Sequence, residues 1–230
     1  MLRRWRDGVF FLIKPRVRSR LTLTWMILLT SGCTTVSRST ADTFGLLFKR
    51  HEIEPNSEQV AALRYPQILL RTPDVNGIVV LAQIDSDRRQ AWYAGHSAVL
   101  YLEGDGLLSG LASKGHSASI RIEGDNPFTH LGSIKDKTAV QRRYDWITQY
   151  LYDVPVTGSL RRVRQESVDI LGHTLQLIRF EETLKGPGFS ETNLYWTDAA
   201  TGFIWKSRQY LAPGYAVEIV QLKPYRPAKS

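Results

Sequence analysis

The chain reads as mostly β, with antiparallel sheets forming a sandwich or incomplete barrel and one or two short helices. Three observations predict this. From Gln67 onward, short runs rich in β-branched and aromatic residues alternate apolar with polar side chains, the two-residue period of a half-buried strand. Clusters of Gly, Asn, Asp and Ser separate those runs at short intervals. No stretch shows the strand–helix–strand alternation that a parallel sheet needs.

The first element is a leader. Residues 1–32 carry Arg3, Arg4, Arg6, Lys14, Arg16, Arg18 and Arg20 against the single acid Asp7, so +6 of the formal charge of +8 lies there. An apolar run, Leu21-Thr-Leu-Thr-Trp-Met-Ile-Leu-Leu29, follows and leads into Thr30-Ser31-Gly32-Cys33. A transmembrane helix needs about 20 apolar residues, so this shorter run suits the core of a signal peptide. Small residues before the sole cysteine resemble the lipobox of bacterial lipoproteins, in which the cysteine thiol is lipidated. We therefore expect a signal peptide over 1–32 and a lipid anchor at Cys33, with a membrane as the first partner. With Cys33 lipidated, no thiol remains for a disulfide or a thiolate metal site. Thr34, where an inner-membrane retention signal would have Asp, gives the outer membrane as the expected address, facing the periplasm.

Residues 33–43 read as the lipidated cysteine and a polar, flexible tether. A single β-rich periplasmic domain is expected over 44–230. It opens on a short amphipathic helix, Phe44-Gly-Leu-Leu-Phe48, with Thr40 or Asp42 as its cap. The expected strands are Gln67–Arg71, Ile78–Ile84, Gln90–Ala94, Ala98–Glu103, Leu107–Leu111, Ser117–Glu123, Tyr144–Tyr152, Leu160–Ile170, His173–Glu181, Ser190–Trp196, Phe203–Tyr210 and Ala216–Leu222. Turns are expected at Val75-Asn76-Gly77, Asp85-Ser86-Asp87, Gly104-Asp105-Gly106, Leu171-Gly172 and Ala200-Thr201-Gly202. Ala98-Val-Leu-Tyr-Leu-Glu-Gly-Asp105 recurs in pattern as Ala118-Ser-Ile-Arg-Ile-Glu-Gly-Asp125, which suggests two consecutive hairpins.

Composition narrows the function. Outside the leader the chain carries only +2, so its basicity gives no footprint for nucleic acid. His51, His96, His116, His130 and His173 lack the spacing that puts two imidazoles on one metal, and no metal or other cofactor is expected. No Gly-x-Ser-x-Gly elbow or phosphate-cradling glycine motif occurs. Glu181 and Glu182 are adjacent on a strand and point to opposite faces, a poor geometry for acid–base work. The residues give no support to catalysis, and we expect a non-enzyme.

Two stretches remain as candidate surfaces. Arg142, Tyr144 and Trp146 share one face of an extended segment, as do Arg162 and Arg164 further on. Aromatic platforms with arginines suit sugar rings, acidic polysaccharide or glycolipid phosphates, and polysaccharide is a further expected partner. The alternative is a strand whose aromatics are core and whose arginines are solvated. The second stretch runs from Asn193 through Tyr195 and Trp196 to Trp205, Lys206 and Arg208. Here Tyr195 would oppose Trp196 across the sheet, Phe203 and Trp205 would share one face, and Lys206 and Arg208 the other.

The pattern Asn-x-Tyr-Trp-x-Asp, Thr-Gly-Phe-Ile-Trp-Lys-Ser-Arg-Gln and Leu-Lys-Pro over 193–224 resembles the YjbF/GfcB family of bacterial lipoproteins. Ile78-Val-Val-Leu81 followed by Trp92, the Gly-rich stretch 104–110 and Val168-Asp-Ile-Leu-Gly172 occupy similar places. Tyr195, Trp196, Trp205 and Arg208 form the family signature. The resemblance implies an outer-membrane lipoprotein that serves exopolysaccharide or group 4 capsule export. It would act beside an outer-membrane β-barrel and a periplasmic export protein. The first functional expectation is thus a non-enzymatic accessory or assembly factor; the alternative is a periplasmic carbohydrate- or glycolipid-binding module.

Overall fold

The computed structural model describes residues 54–95, 98–103, 105–134 and 136–225. The leader, Cys33, the tether, the expected helix Phe44–Phe48, His51 and His96 lie outside the described residues.

Among the described residues, twelve strands follow one short helix, α1 (Ser57–Ala62): β1 (Gln67–Arg71), β2 (Asn76–Ile84), β3 (Gln90–Ala94), β4 (Ala98–Leu102), β5 (Leu108–Ser113), β6 (Ser117–Glu123), β7 (Thr138–Trp146), β8 (Leu151–Ile170), β9 (His173–Gly186), β10 (Phe189–Thr197), β11 (Ile204–Ala212) and β12 (Tyr215–Lys223). Each pairs antiparallel with its sequence neighbours. β12 then pairs back onto β1 through Leu69↔Val220 and Leu70↔Ile219, which closes the sheet. The expected sandwich or incomplete barrel is thus corrected to a closed twelve-stranded barrel. Strand alternation alone cannot distinguish these, because all three bury one face of every strand; closure removes the two unpaired edges that an open sheet would expose.

Two boundaries also move. The turn expected at Val75–Gly77 lies at Thr72–Val75, where the Thr72 hydroxyl accepts from the amides of Asp74 and Val75. The expected strand Tyr144–Tyr152 is interrupted, because β7 ends at Trp146, one 3-10 turn spans Ile147–Gln149, and Tyr150 takes a left-handed conformation.

Call the rim where the chain enters β1 proximal and the opposite rim distal. Inward side chains form two apolar cores. The larger includes Ile68, Leu70, Trp92, Leu100, Tyr144, Trp146, Leu184 and Val217. The smaller, around Val140, Leu160, Phe180 and Tyr195, is sealed by the β6–β7 connection. There Asn126 caps the 3-10 segment Pro127–Ser133 by accepting from the Phe128 amide at 3.0 Å, and Phe128 and Leu131 pack inside. The β4–β5 loop also turns inward, with the Ile204 amide donating to the Asp105 carbonyl at 3.1 Å. It passes so close that a Cβ on Gly106, at φ +92°, would lie 3.1 Å from the Ile204 carbonyl.

β8 and β9 outrun their neighbours. Pairing with β7 stops at Thr138↔Leu160 and pairing with β10 stops at Thr197↔Ile178, so the hairpin tip continues as a two-stranded ribbon. Its tip, Leu171-Gly172, has both residues at positive φ, as a two-residue hairpin turn of the primed type requires. The ribbon packs on the outside of the barrel: Ile170 joins Val60 of α1, Leu69, Ile78 and Leu222 in a third apolar cluster that Trp205 flanks. Glu166 fastens it there, accepting from Trp196 Nε1 at 2.7 Å and pairing with Arg179 at 3.0 Å.

Candidate functional site

Of the residues singled out as a binding surface, Arg142, Tyr144 and Trp146 share one strand face, and that face is the barrel interior. Arg142, Tyr144 and Trp146 are buried. The Trp146 indole N–H donates to the Leu211 carbonyl at 3.0 Å, and both aromatic rings pack edge-on against Phe189. Arg162 and Arg164 stand apart from them, on the part of β8 beyond its pairing with β7. A register shift between them separates their faces. They are exposed, and Arg164 pairs with Glu166. The expected single surface is therefore corrected: its aromatics are core, as alternation in a closed barrel dictates, and its arginines split between inside and outside.

Burying Arg142 requires a partner, and β9 supplies it. Glu182 is fully enclosed and takes the guanidinium in a two-pronged contact, Nε to Oε1 at 2.7 Å and Nη2 to Oε2 at 2.9 Å. The Tyr195 hydroxyl donates to Glu182 Oε2 at 2.7 Å and accepts from Arg142 Nη2 at 3.3 Å. Asn193 donates to the same carboxylate oxygen at 3.0 Å, while its own carbonyl accepts from the Tyr210 amide at 2.7 Å. Gln209 and Ser207 extend this polar layer across β11. Burial opposes the charge on Arg142, yet the facing Glu182 carboxylate together with Tyr195 and Tyr144 outweighs it and holds the guanidinium protonated. Burial, then the Glu182 charge, push the Tyr195 phenol well above its usual range, so it stays a donor.

The signature residues fall on both sides of the wall. Tyr195 is inside and Trp196 outside, as expected. Phe203 and Trp205 meet edge to face at 5.4 Å on the outer side. A bulge where Trp196 pairs with Lys206 and Thr197 with Ile204 leaves Trp205 unopposed, so it shares the outer face with Lys206 rather than facing away from it. Lys206 sits over the Trp196 ring at 5.0 Å, and exposed Arg208 lies 3.7 Å from Glu218.

The sequence pattern marks Glu182 only as one of two adjacent acids and Asn193 only as the start of the second stretch, and does not announce their joining Arg142 and Tyr195 inside the barrel. The signal was present: Glu182 falls between Phe180 and Leu184, and Arg142 between Val140 and Tyr144, each a charge on an otherwise apolar inward face. Glu181, next to Glu182, faces outward and pairs with Arg179, the opposite-face geometry expected for the two acids.

Among the described residues, four of the eight exposed large apolar side chains lie in one turn at the distal rim. Ile147, Tyr150, Leu151 and Tyr152 are all solvent-facing, Tyr150 at 82% exposure. Tyr150 and Asp153 both have positive φ, a conformation that non-glycine residues hold only when braced. The bracing is visible: Asp145 accepts from the Asp153 amide at 2.8 Å, Thr148 accepts from the Ser117 amide at 2.9 Å, and Arg121 bridges Asp145 and Asp153.

Comparison with known proteins gives a consistent assignment. The family described as group 4 capsule polysaccharide lipoprotein gfcB, YjbF matches residues 41–222. The uncharacterized lipoprotein GfcB of Escherichia coli (strain K12) is 26% identical over 209 residues, which is 89% of this chain and 98% of that protein. The crystal structure of the hypothetical lipoprotein YmcC from Escherichia coli (K12) superposes with a TM-score of 0.67 at 22% identity, covering 86% of this chain and all of that one. It shares the fold.

Proposed function

This chain belongs to the YjbF family of group 4 capsule polysaccharide lipoproteins, and we propose that it is a non-enzymatic accessory factor of capsule or exopolysaccharide export. In this reading Cys33 anchors it to the periplasmic face of the outer membrane. Its distal rim docks on a protein partner there, an outer-membrane β-barrel, with a periplasmic export protein as a second contact.

The observation that carries the reading is the braced turn Ile147–Tyr152. A turn held in left-handed geometry by Asp145, Thr148 and Arg121 keeps two tyrosines, an isoleucine and a leucine in water. Exposed apolar groups so fixed mark a contact surface. Arg121, Arg143, Glu123, Asp145 and Asp153 form an ionic border beside the turn. An apolar, tyrosine-bearing centre with a charged rim is the anatomy of a protein–protein interface. The barrel interior is occupied by two apolar cores and a polar layer, so the described residues enclose packing rather than a conduit. The contribution to export then belongs to the outer surface.

The reading is tested by expressing tagged full-length protein from its native locus, crosslinking, solubilising the membrane and identifying partners by mass spectrometry. A barrel protein recovered with the wild type and depleted with Cys33→Ala supports both anchor and role. Identical fractionation of the two as soluble periplasmic proteins refutes the anchor.

A further inference from the structure

The barrel wall has one weak seam among the described strands. β5 and β6 pair only through Gly110↔Ser119, Leu111↔Ala118 and Ala112↔Ser117. Beyond that point β6 stays with β7 as far as Glu123↔Gln141, and β5 stays with β4 to Leu102↔Leu108. The cause is the inward β4–β5 loop. The Leu108 amide donates to Gln209 Oε1 on the far side of the barrel at 3.1 Å, which draws the start of β5 away from β6. Directly beside the gap, where the pairing begins, the strands close tightly, since a Cβ on Gly110 would lie 2.9 Å from the Ala118 carbonyl.

The separation leaves a cleft of about 260 Å³. Its lining mixes aliphatic Leu108, Ile120 and Ile122 with polar Ser109, Glu103, Asn126 and Arg121, and Arg142 reaches it from the polar layer. Ser109 is 7% exposed and its hydroxyl makes no hydrogen bond of regular geometry, although it lies near the Glu103 carboxylate. A buried hydroxyl whose nearest acceptor, the Glu103 carboxylate, lies outside regular hydrogen-bond geometry has capacity left for a ligand hydroxyl. Burial raises the Glu103 carboxyl above its ordinary value, and the Ser109 hydroxyl pulls only partly the other way.

We propose that this cleft is a binding site for a single neutral pyranose ring of a glycan. The inference rests on the reading above that the protein works in polysaccharide export. A pyranose presents an apolar C–H face to Leu108, Ile120 and Ile122, and hydroxyls to Ser109, Glu103 and Asn126. An acyl chain leaves those polar groups unsatisfied. An anionic sugar meets Glu103, on which Asp87 and Asp105 also act, while the cations around the cleft are already paired, Arg142 with Glu182, Arg121 with Asp145 and Asp153, and Arg89 with Asp85. The volume falls just below the roughly 300 Å³ at which drug-sized pockets begin, room for one ring and not for a chain.

Saturation-transfer NMR on the full chain in detergent tests this, with methyl β-D-glucopyranoside and methyl β-D-galactopyranoside as probes and sodium glucuronate as the charged comparison. The wild type should show transfer from at least one neutral glycoside and less from glucuronate. Ser109→Leu, which intrudes into the cleft, and Glu103→Leu, at its half-buried edge, should each weaken the signal roughly tenfold at a melting temperature no lower than that of the wild type. Hydrogen exchange at 108–110 and 120–122 should slow in the wild type when the glycoside is added, a readout that needs no variant. No transfer from either glycoside, or equal transfer in wild type and variants with unchanged exchange, overturns the proposal. Recovery of the barrel partner by crosslinking is read separately, so loss of sugar binding leaves the docking reading standing, and the reverse.

Discussion

Arg142 and Glu182 face each other inside the barrel, on strands β7 and β9, with both guanidinium contacts under 3 Å and neither side chain more than 1% exposed. Tyr195 and Asn193 complete the shell around the carboxylate. A charge buried in this way is stable only as a pair. Removing Glu182 alone, as Glu182→Leu, leaves Arg142 uncompensated and should cost about 3–5 kcal/mol in urea unfolding. The double variant Arg142→Met/Glu182→Leu should recover most of that loss. Equal losses in the single and double variants contradict the pairing.

Gly158 is required by the same pair. A Cβ built there lies 2.2 Å from Glu182 Oε1, so Gly158→Ala displaces the carboxylate. We expect a loss of about 1–3 kcal/mol from overpacking. The loss should shrink when Glu182 is already Ala, because the two sites share one volume. Additive losses in the unfolding midpoint argue against it.

Glu103 should show the opposite sign from an ordinary paired carboxylate. Its folded value lies above the unpaired 4.5, chiefly through burial. At neutral pH the charged form therefore lowers stability, and that penalty falls as pH drops through the folded value and is gone below the unfolded one. Glu103→Gln should melt higher than the wild type at pH 7, with the difference vanishing near pH 4. A variant that melts lower at pH 7 contradicts the burial of this group.

Glu166 is the clasp of the β8–β9 ribbon. The Trp196 indole N–H, opposed in part by burial and aided by Arg164 and Arg179, holds its carboxyl below the usual range. The clasp is therefore complete above the unfolded carboxylate value and is lost as pH falls through the lower folded one. Glu166→Gln should raise hydrogen exchange over 165–176 with little change in the barrel strands, a local opening rather than global unfolding. Faster exchange throughout the barrel is the contrary result.

Much of the barrel was legible because each strand repeats one local rule. Gln67–Arg71, Gln90–Ala94 and Ser117–Glu123 have the same limits in sequence and structure, and the pattern shared by 98–105 and 118–125 reflects β4 and β6, whose Leu100 and Ile120 point into one core. What alternation could not supply was closure, since the β1–β12 pairing joins the two ends of the domain. Nor could it supply side. Arg142, Tyr144 and Trp146 were placed correctly on one face, but whether that face looks in or out depends on β8 and β9 behind it. The left-handed turn at Tyr150 and Asp153 is braced by Asp145 and by Arg121, a residue on another strand that no local pattern near the turn announces. The seam at Ser109 likewise depends on Gln209, distant in sequence.

In the proposed function the distal turn docks on an outer-membrane partner. The most direct test of that docking is crosslinking and mass spectrometry of tagged full-length Tyr150→Ser/Tyr152→Ser beside the wild type, with membrane fractionation and melting measured on both. Both tyrosines face solvent, so the double variant should melt as the wild type does and stay with the membrane. The account predicts that the barrel protein recovered with the wild type is lost from this variant. Undiminished recovery from a folded, membrane-bound double variant contradicts it.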